Sequence, residues 1–391
     1  MGVPQGVVDR MVALRRALHQ QPELAFHEHD TMRRISAALD ELGVAHRTGV
    51  AGTGIVADLP GRGDAPLVAL RADIDALPIQ EETGLPFASS RPGVMHACGH
   101  DGHTSMLVGA AALLLADPPP GPVRLLWQPA EEAGYGAVKM IEAGVLEGVA
   151  AIFGGHLDRL YPPGTLVVTD GCVNASTDTF HFEVIGRQGH AARPHEALDA
   201  IVVGSHLVTT LQSVVSRQVD PAQPAVVTVG RFEAGTAANV IAGRAVLEGT
   251  IRAQRADIRR QLKEGVIRAA RAVGELHGAA IQVTLIDGTP PLLNPPGPTA
   301  VARAAAVAVV GEGSVRPLGT ANMGGEDFAW YLDHVPGAYI RFGARTTGEE
   351  PPPAHSSRFD FHEDALPVGA AWYDRVARHA QTHADELRRL E

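Results

Sequence analysis

The sequence predicts an α/β protein into which a smaller α+β unit has been inserted. Three observations lead there. Four short apolar runs, bounded by glycine or proline, read as buried strands: PLVAL (66–70), VRLLW (123–127), AAIFGG (150–155) and AYIRFG (338–343). Helical stretches such as 103–116 and 137–144 lie between them, the alternation of an α/β sheet. Residues 179–288 follow a different order, β-α-β-β-α-β, the ferredoxin-like signature.

Taken in order, MGVPQGVVDRMVALRRALHQ reads as an amphipathic helix and lacks the continuous apolar region of a secretory signal. The longest apolar run, MLVGAAALLLA (106–116), is too short to span a bilayer. TFHFEVIGRQG opens the insert as a strand, and ALDAIVVGSHLVTTLQSVVSRQ follows as a long amphipathic helix. AVVTVGRFEAG and AVLEGTIRAQ supply two strands, 256–278 a second helix, and AIQVTLIDG a last strand. PPPGP (118–122), PPLLNPPGP (290–298) and EEPPP (349–353) read as loops. The expected domains are therefore 1–178, an insert at 179–289, and a resumption of the first domain over 290–391.

A chain of 391 residues suggests two domains. Its net charge of −11 argues against a nucleic-acid or anionic-membrane binder, since both require basic surface. Two cysteines, Cys98 and Cys172, form no disulfide framework, and without an export signal the reducing cytoplasm is the expected setting. Cys98 is then free to act as a thiolate.

Each buried strand empties into candidate ligands. PLVAL runs into RADIDALP with Asp73 and Asp75, and VRLLW into QPAEE with Glu131 and Glu132. AAIFGG ends at His156, and AYIRFG leads by a loop to His355. Ligands gather at the carboxyl ends of strands in open α/β sheets. HACGHDGH (96–103), in the loop before the 103–116 helix, is a fifth contribution. Cys98 and His100 offer a soft thiolate and an imidazole, which suit zinc, cobalt, nickel or manganese to different degrees. No CxxC pair is present, so a closed structural zinc site is disfavoured, and the mixture of sulfur, imidazole and carboxylate suits an open catalytic one.

Adjacent side chains point opposite ways in extended backbone. On that basis one of Glu131 and Glu132 is expected to bind metal while the other takes the proton from a water that metal acidifies. Asp75 and Asp101 suit the orientation of ligating histidines, although Asp101 reads equally well as a helix N-cap. Asp73 has Arg71 within reach as a salt-bridge partner. In the insert, GRQGHAARPHEALDA brings His190 and His195, GTAANVIAG brings Asn239, and GTIR brings Arg252. A histidine, an amide and a guanidinium together are able to polarise a carbonyl and hold a carboxylate.

RADIDALP, HACGHDGHTSMLVGAA, WQPAEE, GRQGHAARPHEALDA, GTAANVIAG, MGGEDF and HSSRFDFHE resemble the dinuclear-metal aminoacylase and carboxypeptidase family. The similarity is strongest to its branch of hippurate hydrolases, indoleacetyl-amino-acid hydrolases and bacterial N-acyl-amino-acid amidohydrolases. It runs from HQQPELAFHEHDT at 19–31 to the final helix. The resemblance implies a metallopeptidase-like α/β catalytic domain on a mixed sheet, with a ferredoxin-like α+β dimerisation domain inserted. It implies two divalent metal ions held by Cys98, His100, Glu132, His156 and His355. Glu131 would be general base and then acid, and Asp75 would orient a ligand. His190 would reach across a homodimer to the oxyanion, with Asn239 and Arg252 near the substrate's amide and carboxylate. The chain departs from the family pattern at LDRLYPPGT, after His156, and at TDGCVNASTD (169–178), segments expected to border the acyl pocket or the hinge.

The expected activity is hydrolysis of a small N-acyl amino acid, with manganese, zinc, nickel or cobalt as cofactor. A dipeptidase or carboxypeptidase of the same family is the alternative within this class. A non-catalytic metal-binding protein on this scaffold is disfavoured by the intact ligand set and Glu131. A nucleobase deaminase is disfavoured by the missing HxE and PCxxC pairing.

Overall fold

The computed structural model describes residues 2–346 and 351–388, so Glu349 and Glu350 of the loop expected at 349–353 lie outside the described residues. The chain forms two compact units. One comprises residues up to 173, 293–320 and those from 327 onward; the other comprises 174–292 and 321–326.

The first unit is built on a mixed sheet of eight strands among the described residues. Their order is His46–Val50, Gly54–Leu59, Val123–Gln128, Leu67–Asp73, Val149–Asp158, Gly337–Gly343, Leu166–Val167, Val315–Arg316. The four runs read as strands from the sequence form its parallel centre. Helices cover that centre, which is why these strands are apolar throughout and do not alternate. The His46–Val50/Gly54–Leu59 hairpin and the two-residue strands at the opposite edge were not anticipated.

His100–Ala116 packs against both Gln5–His19 and Ala365–Thr382. It is buried continuously from His100 to Ala111, so its small and apolar residues face protein on every side. No helix among the described residues is long and apolar enough to cross a membrane.

The second unit has the sheet order Ala225–Ala234, Arg244–Ala253, Ser176–Ile185, Ala280–Asp287, antiparallel throughout. That is the ferredoxin-like arrangement expected from β-α-β-β-α-β. Ser176–Ile185 alternates buried and less buried positions, so one sheet face meets the helices Ala200–Gln218 and Ala256–His277. Phe180 and Phe182 stack at 4.8 Å in this core with Leu207, Leu211, Leu262 and Val266.

The expected insert boundaries, 179 and 289, fall inside this unit. Its first strand begins at Ser176, and the Thr177 N–H donates to the Thr289 carbonyl at 2.9 Å. Residues 321–326, read from the sequence as part of the first domain, pack here because the Ala175 N–H reaches the Asn322 carbonyl at 2.8 Å. TDGCVNASTD thus contains one of the passages between units.

Candidate active site

The site begins with how the chain enters the helix His100–Ala116. Gly99 caps it with φ +94°, a conformation that favours glycine, and this turn swings His100 inward. Gly102 is required for a different reason, since a Cβ there would lie 2.6 Å from the Phe361 ring and 2.7 Å from Leu157.

His100 Nδ1 is 2.9 Å from the Asp75 carbonyl and 3.2 Å from Asp75 Oδ1, so it carries the proton and donates. Its Nε2 is buried and finds no hydrogen-bond partner among the described residues. His156 is arranged alike: Nδ1 donates to the Leu157 carbonyl at 2.7 Å, and Nε2 faces Cys98 Sγ at 3.2 Å. His156 lies within Val149–Asp158, two residues before its end. His355 arrives on the loop after Gly337–Gly343 with φ +62°, and its N–H bonds the Ala97 carbonyl at 2.8 Å. Its Nε2 stands 3.1 Å from Glu132 Oε1.

Glu131 and Glu132 are not in extended backbone, contrary to the sequence reading. Ala130, two residues past the strand Val123–Gln128, sits at φ +56°, and the Gly134 N–H closes a turn on the Glu131 carbonyl at 2.7 Å. Both carboxylates therefore face the same imidazole; donor atoms of His100, Glu131 and Glu132 lie within 4.8 Å of one another. Their difference comes from their partners. Glu132 is tied to His355, whereas Glu131 Oε1 accepts the Asp327 N–H at 3.3 Å and its Oε2 lies 3.9 Å from His100 Nε2.

Two overlapping donor sets result, Cys98/His100/His156 and Cys98/Glu132/His355, each within 4.8 Å and sharing the sulfur. A third set, Asp73/His100/His103, is ruled out chemically. His103 spends both nitrogens, Nδ1 on Asp73 Oδ1 at 2.6 Å and Nε2 on the Leu157 N–H at 2.9 Å, leaving no lone pair. Asp73 is also committed, to Arg71 at 2.6 Å, the salt bridge its neighbour suggested. The two overlapping sets fit divalent cations: unspent imidazole nitrogen, a thiol and carboxylate oxygens converge where His100 Nε2 is otherwise orphaned.

The electrostatics are those of a metal-free site, in which a cation would have to displace the protons held by Cys98 and His100. Burial, reinforced by the Glu132 charge, pushes the Cys98 thiol up to about 12. Burial with His103 and Arg341 nearby holds His156 well below its usual range, so it is neutral. Burial would also lower His100, but the Asp73 charge and the Asp75 bond outweigh it and hold it well above.

Asp101 neither caps the helix nor orients a ligand. Its Oδ2 bonds His19 Nδ1 at 2.8 Å and forms an ion pair with Arg15, whose Nε lies 3.1 Å away. The sequence reading also missed Asp327, whose carboxylate binds Arg71 at 2.7 Å, Gln128 at 2.8 Å and the Ala137 N–H at 2.9 Å. MGGEDF carried that signal without a role attached.

In the second unit, His190 pairs with Val240 in a short ribbon, and the Ala191 N–H bonds the Asn239 carbonyl at 3.1 Å. His190 Nδ1 accepts the Ala192 N–H at 3.0 Å, which leaves Nε2–H exposed as a donor. His195 is exposed nearby beside Glu196. Arg252 does not join them, contrary to the grouping read from the sequence. It lies opposite Val226 and Thr177, while the His190 ribbon continues from the Arg244 end, about 27 Å along the same strand. Half-buried Arg252 has its pKa lowered by burial.

With fold and donor set in place, comparison with known proteins is decisive at the level of family. The model of peptidase family M20/M25/M40 matches residues 69–379. An N-acetyl-L-cysteine deacetylase of Bacillus subtilis is 41% identical over 91% of this chain and 85% of its own. An IAA-amino acid hydrolase of Arabidopsis thaliana is 39% identical over 93% and 85%. A solved Bacillus subtilis structure, described as a dinuclear metal binding peptidase from the M20 family, is 36% identical with a TM-score of 0.83 over 96% of this chain and 98% of that one. The chain belongs to peptidase family M20/M25/M40 and is a metal-dependent amide hydrolase.

Proposed function

We propose that the protein removes the acyl group from an N-acyl amino acid and takes two divalent ions per chain. The observation that carries this reading is the pair of donor sets sharing Cys98, with the Glu131 carboxylate beside them, its Oε2 3.9 Å from His100 Nε2. Cys98, His100, Glu132, His156 and His355 would hold manganese, zinc, nickel or cobalt. Bound metal supplies a Lewis acid for the scissile carbonyl and lowers the pKa of water.

Glu131 takes the proton of the attacking water and later delivers it to the leaving amine. Asp75 fixes the His100 tautomer and the Glu132 backbone together, through 3.2 Å and 3.0 Å contacts. His190 presents an exposed N–H suited to an oxyanion, Asn239 an amide, and Arg252 a guanidinium for the substrate carboxylate.

The separation of His190 from Arg252 within one unit supports a homodimer through the inserted domain, in which His190 serves a second chain. So does the edge strand Ala225–Ala234, which pairs with Arg244–Ala253 on one side only among the described strands and leaves an edge that pairing would cover. A thiolate ligand persists where thiols are kept reduced, which favours the cytoplasm.

The test is metal content by elemental mass spectrometry, paired with hydrolysis of a panel of N-acyl amino acids and dipeptides before chelation, after it and after re-addition. Near two ions per chain, with activity on acyl amino acids that disappears and returns, is the expected result. Turnover of dipeptides alone would overturn the substrate assignment.

A further inference from the structure

We infer that Glu28 is a positioning residue for the general base, acting through the Ala130 peptide. Glu28 is fully buried at the start of the helix His29–Glu41, far from the acidic pair in sequence. Its Oε1 accepts the Ala130 N–H at 2.9 Å, and its Oε2 accepts the Thr53 hydroxyl from the hairpin turn. No cation pairs with it among the described residues, so its burial is costly, and such groups are retained where they hold something in place.

What it holds is a strained joint. Ala130 sits at φ +56°, a region that costs an L-residue free energy and persists only when its surroundings enforce it. The next residue is Glu131. Glu132, one further on, has its own restraint in the Asp75 carboxylate on its N–H at 3.0 Å. Glu131 is held by the Gly134 N–H on its carbonyl and the Asp327 N–H on its Oε1, both beyond the strained peptide, so losing the Glu28 bond lets the Ala130 peptide relax and shifts where those contacts aim Glu131, while Glu132 and the metals stay in place. The inference rests on Glu131 being the base.

The test uses full-length, metal-loaded protein. Glu28→Ala should lower kcat about tenfold or more with KM and metal content within about twofold of wild type, the expected penalty for misplacing a reacting group. Glu28→Gln, whose amide oxygen still accepts the Ala130 N–H, should recover most of the loss. It also keeps the question answerable if the alanine variant folds poorly. Adding Ala130→Gly to Glu28→Ala should restore at least about threefold, because glycine adopts positive φ without strain.

Unchanged kcat in a folded Glu28→Ala protein would overturn the inference. So would loss of metal in step with activity, or a double variant no faster than Glu28→Ala. Glu131→Gln is assayed in parallel: if it keeps full turnover, the base assignment fails, whereas a dead Glu131→Gln beside a fully active Glu28→Ala sinks only the role given to Glu28.

Discussion

Asp75 holds His100 by its imidazole N–H at 3.2 Å while its other oxygen takes the Glu132 N–H at 3.0 Å. One carboxylate therefore sets the aim of two proposed metal ligands that come from different elements. Asp75→Asn replaces one acceptor oxygen with a donor, so one of those two N–H groups loses its partner. Metal affinity should fall about 10- to 100-fold, read by titration against a chelator of known affinity. An unchanged affinity would mean that the two ligands are held by other means.

Glu131 should be separable from metal binding. Glu131→Gln is expected to retain both ions and lose about 10²- to 10⁴-fold in kcat. Elemental analysis and turnover measured on the same sample check this. Near wild-type turnover would remove Glu131 as base.

Metal loading should release protons. A Cys98 thiol raised to about 12 is neutral at pH 7 in the metal-free protein, and a thiolate once it ligates. Calorimetric titrations with zinc in buffers of differing ionisation enthalpy should count about one proton fewer for Cys98→Ala than for wild type, alongside reduced occupancy. Equal counts would place the sulfur outside the metal site.

His19 links stability to alkaline pH. Burial opposes its protonation, but bonds to Asp101 and Glu81 raise it to about 9 from an ordinary 6.5. A raised pKa means that this contribution is complete below pH 6.5 and disappears as pH climbs through 9. Unfolding free energies from urea titrations taken between pH 6 and 10 should fall by up to about 3 kcal/mol in wild type. They should fall less in His19→Gln. Parallel curves would refute the linkage.

Sharing of sites between chains is open to complementation. Glu131→Gln and His190→Ala should each be inactive alone. If His190 serves the other subunit, a mixed dimer has one site with both residues native, and co-refolded mixtures should recover turnover. A mixture as silent as its components would confine His190 to its own chain.

Much of this was readable in the sequence for a physical reason. Central parallel strands are buried on both faces, so PLVAL, VRLLW, AAIFGG and AYIRFG stand out as continuous apolar runs, and their exits point to the acidic and imidazole ligands. The hairpin strand His46–Val50 is half exposed and polar, and left no such mark. The positive φ of Ala130 and His355 was invisible because neither residue is glycine. With it went the turn that brings Glu131 and Glu132 to one side. Asp327 and Glu28 act on partners far away along the chain, and no local spacing records such contacts.

The burial that keeps Cys98 protonated also governs how the unloaded protein ages. Peroxides and disulfides attack thiolates, and a buried neutral thiol offers them little. An apoprotein waiting for metal therefore keeps its shared sulfur in the reduced state. In the proposed ligand role it would become a thiolate only when an ion is there to cover it.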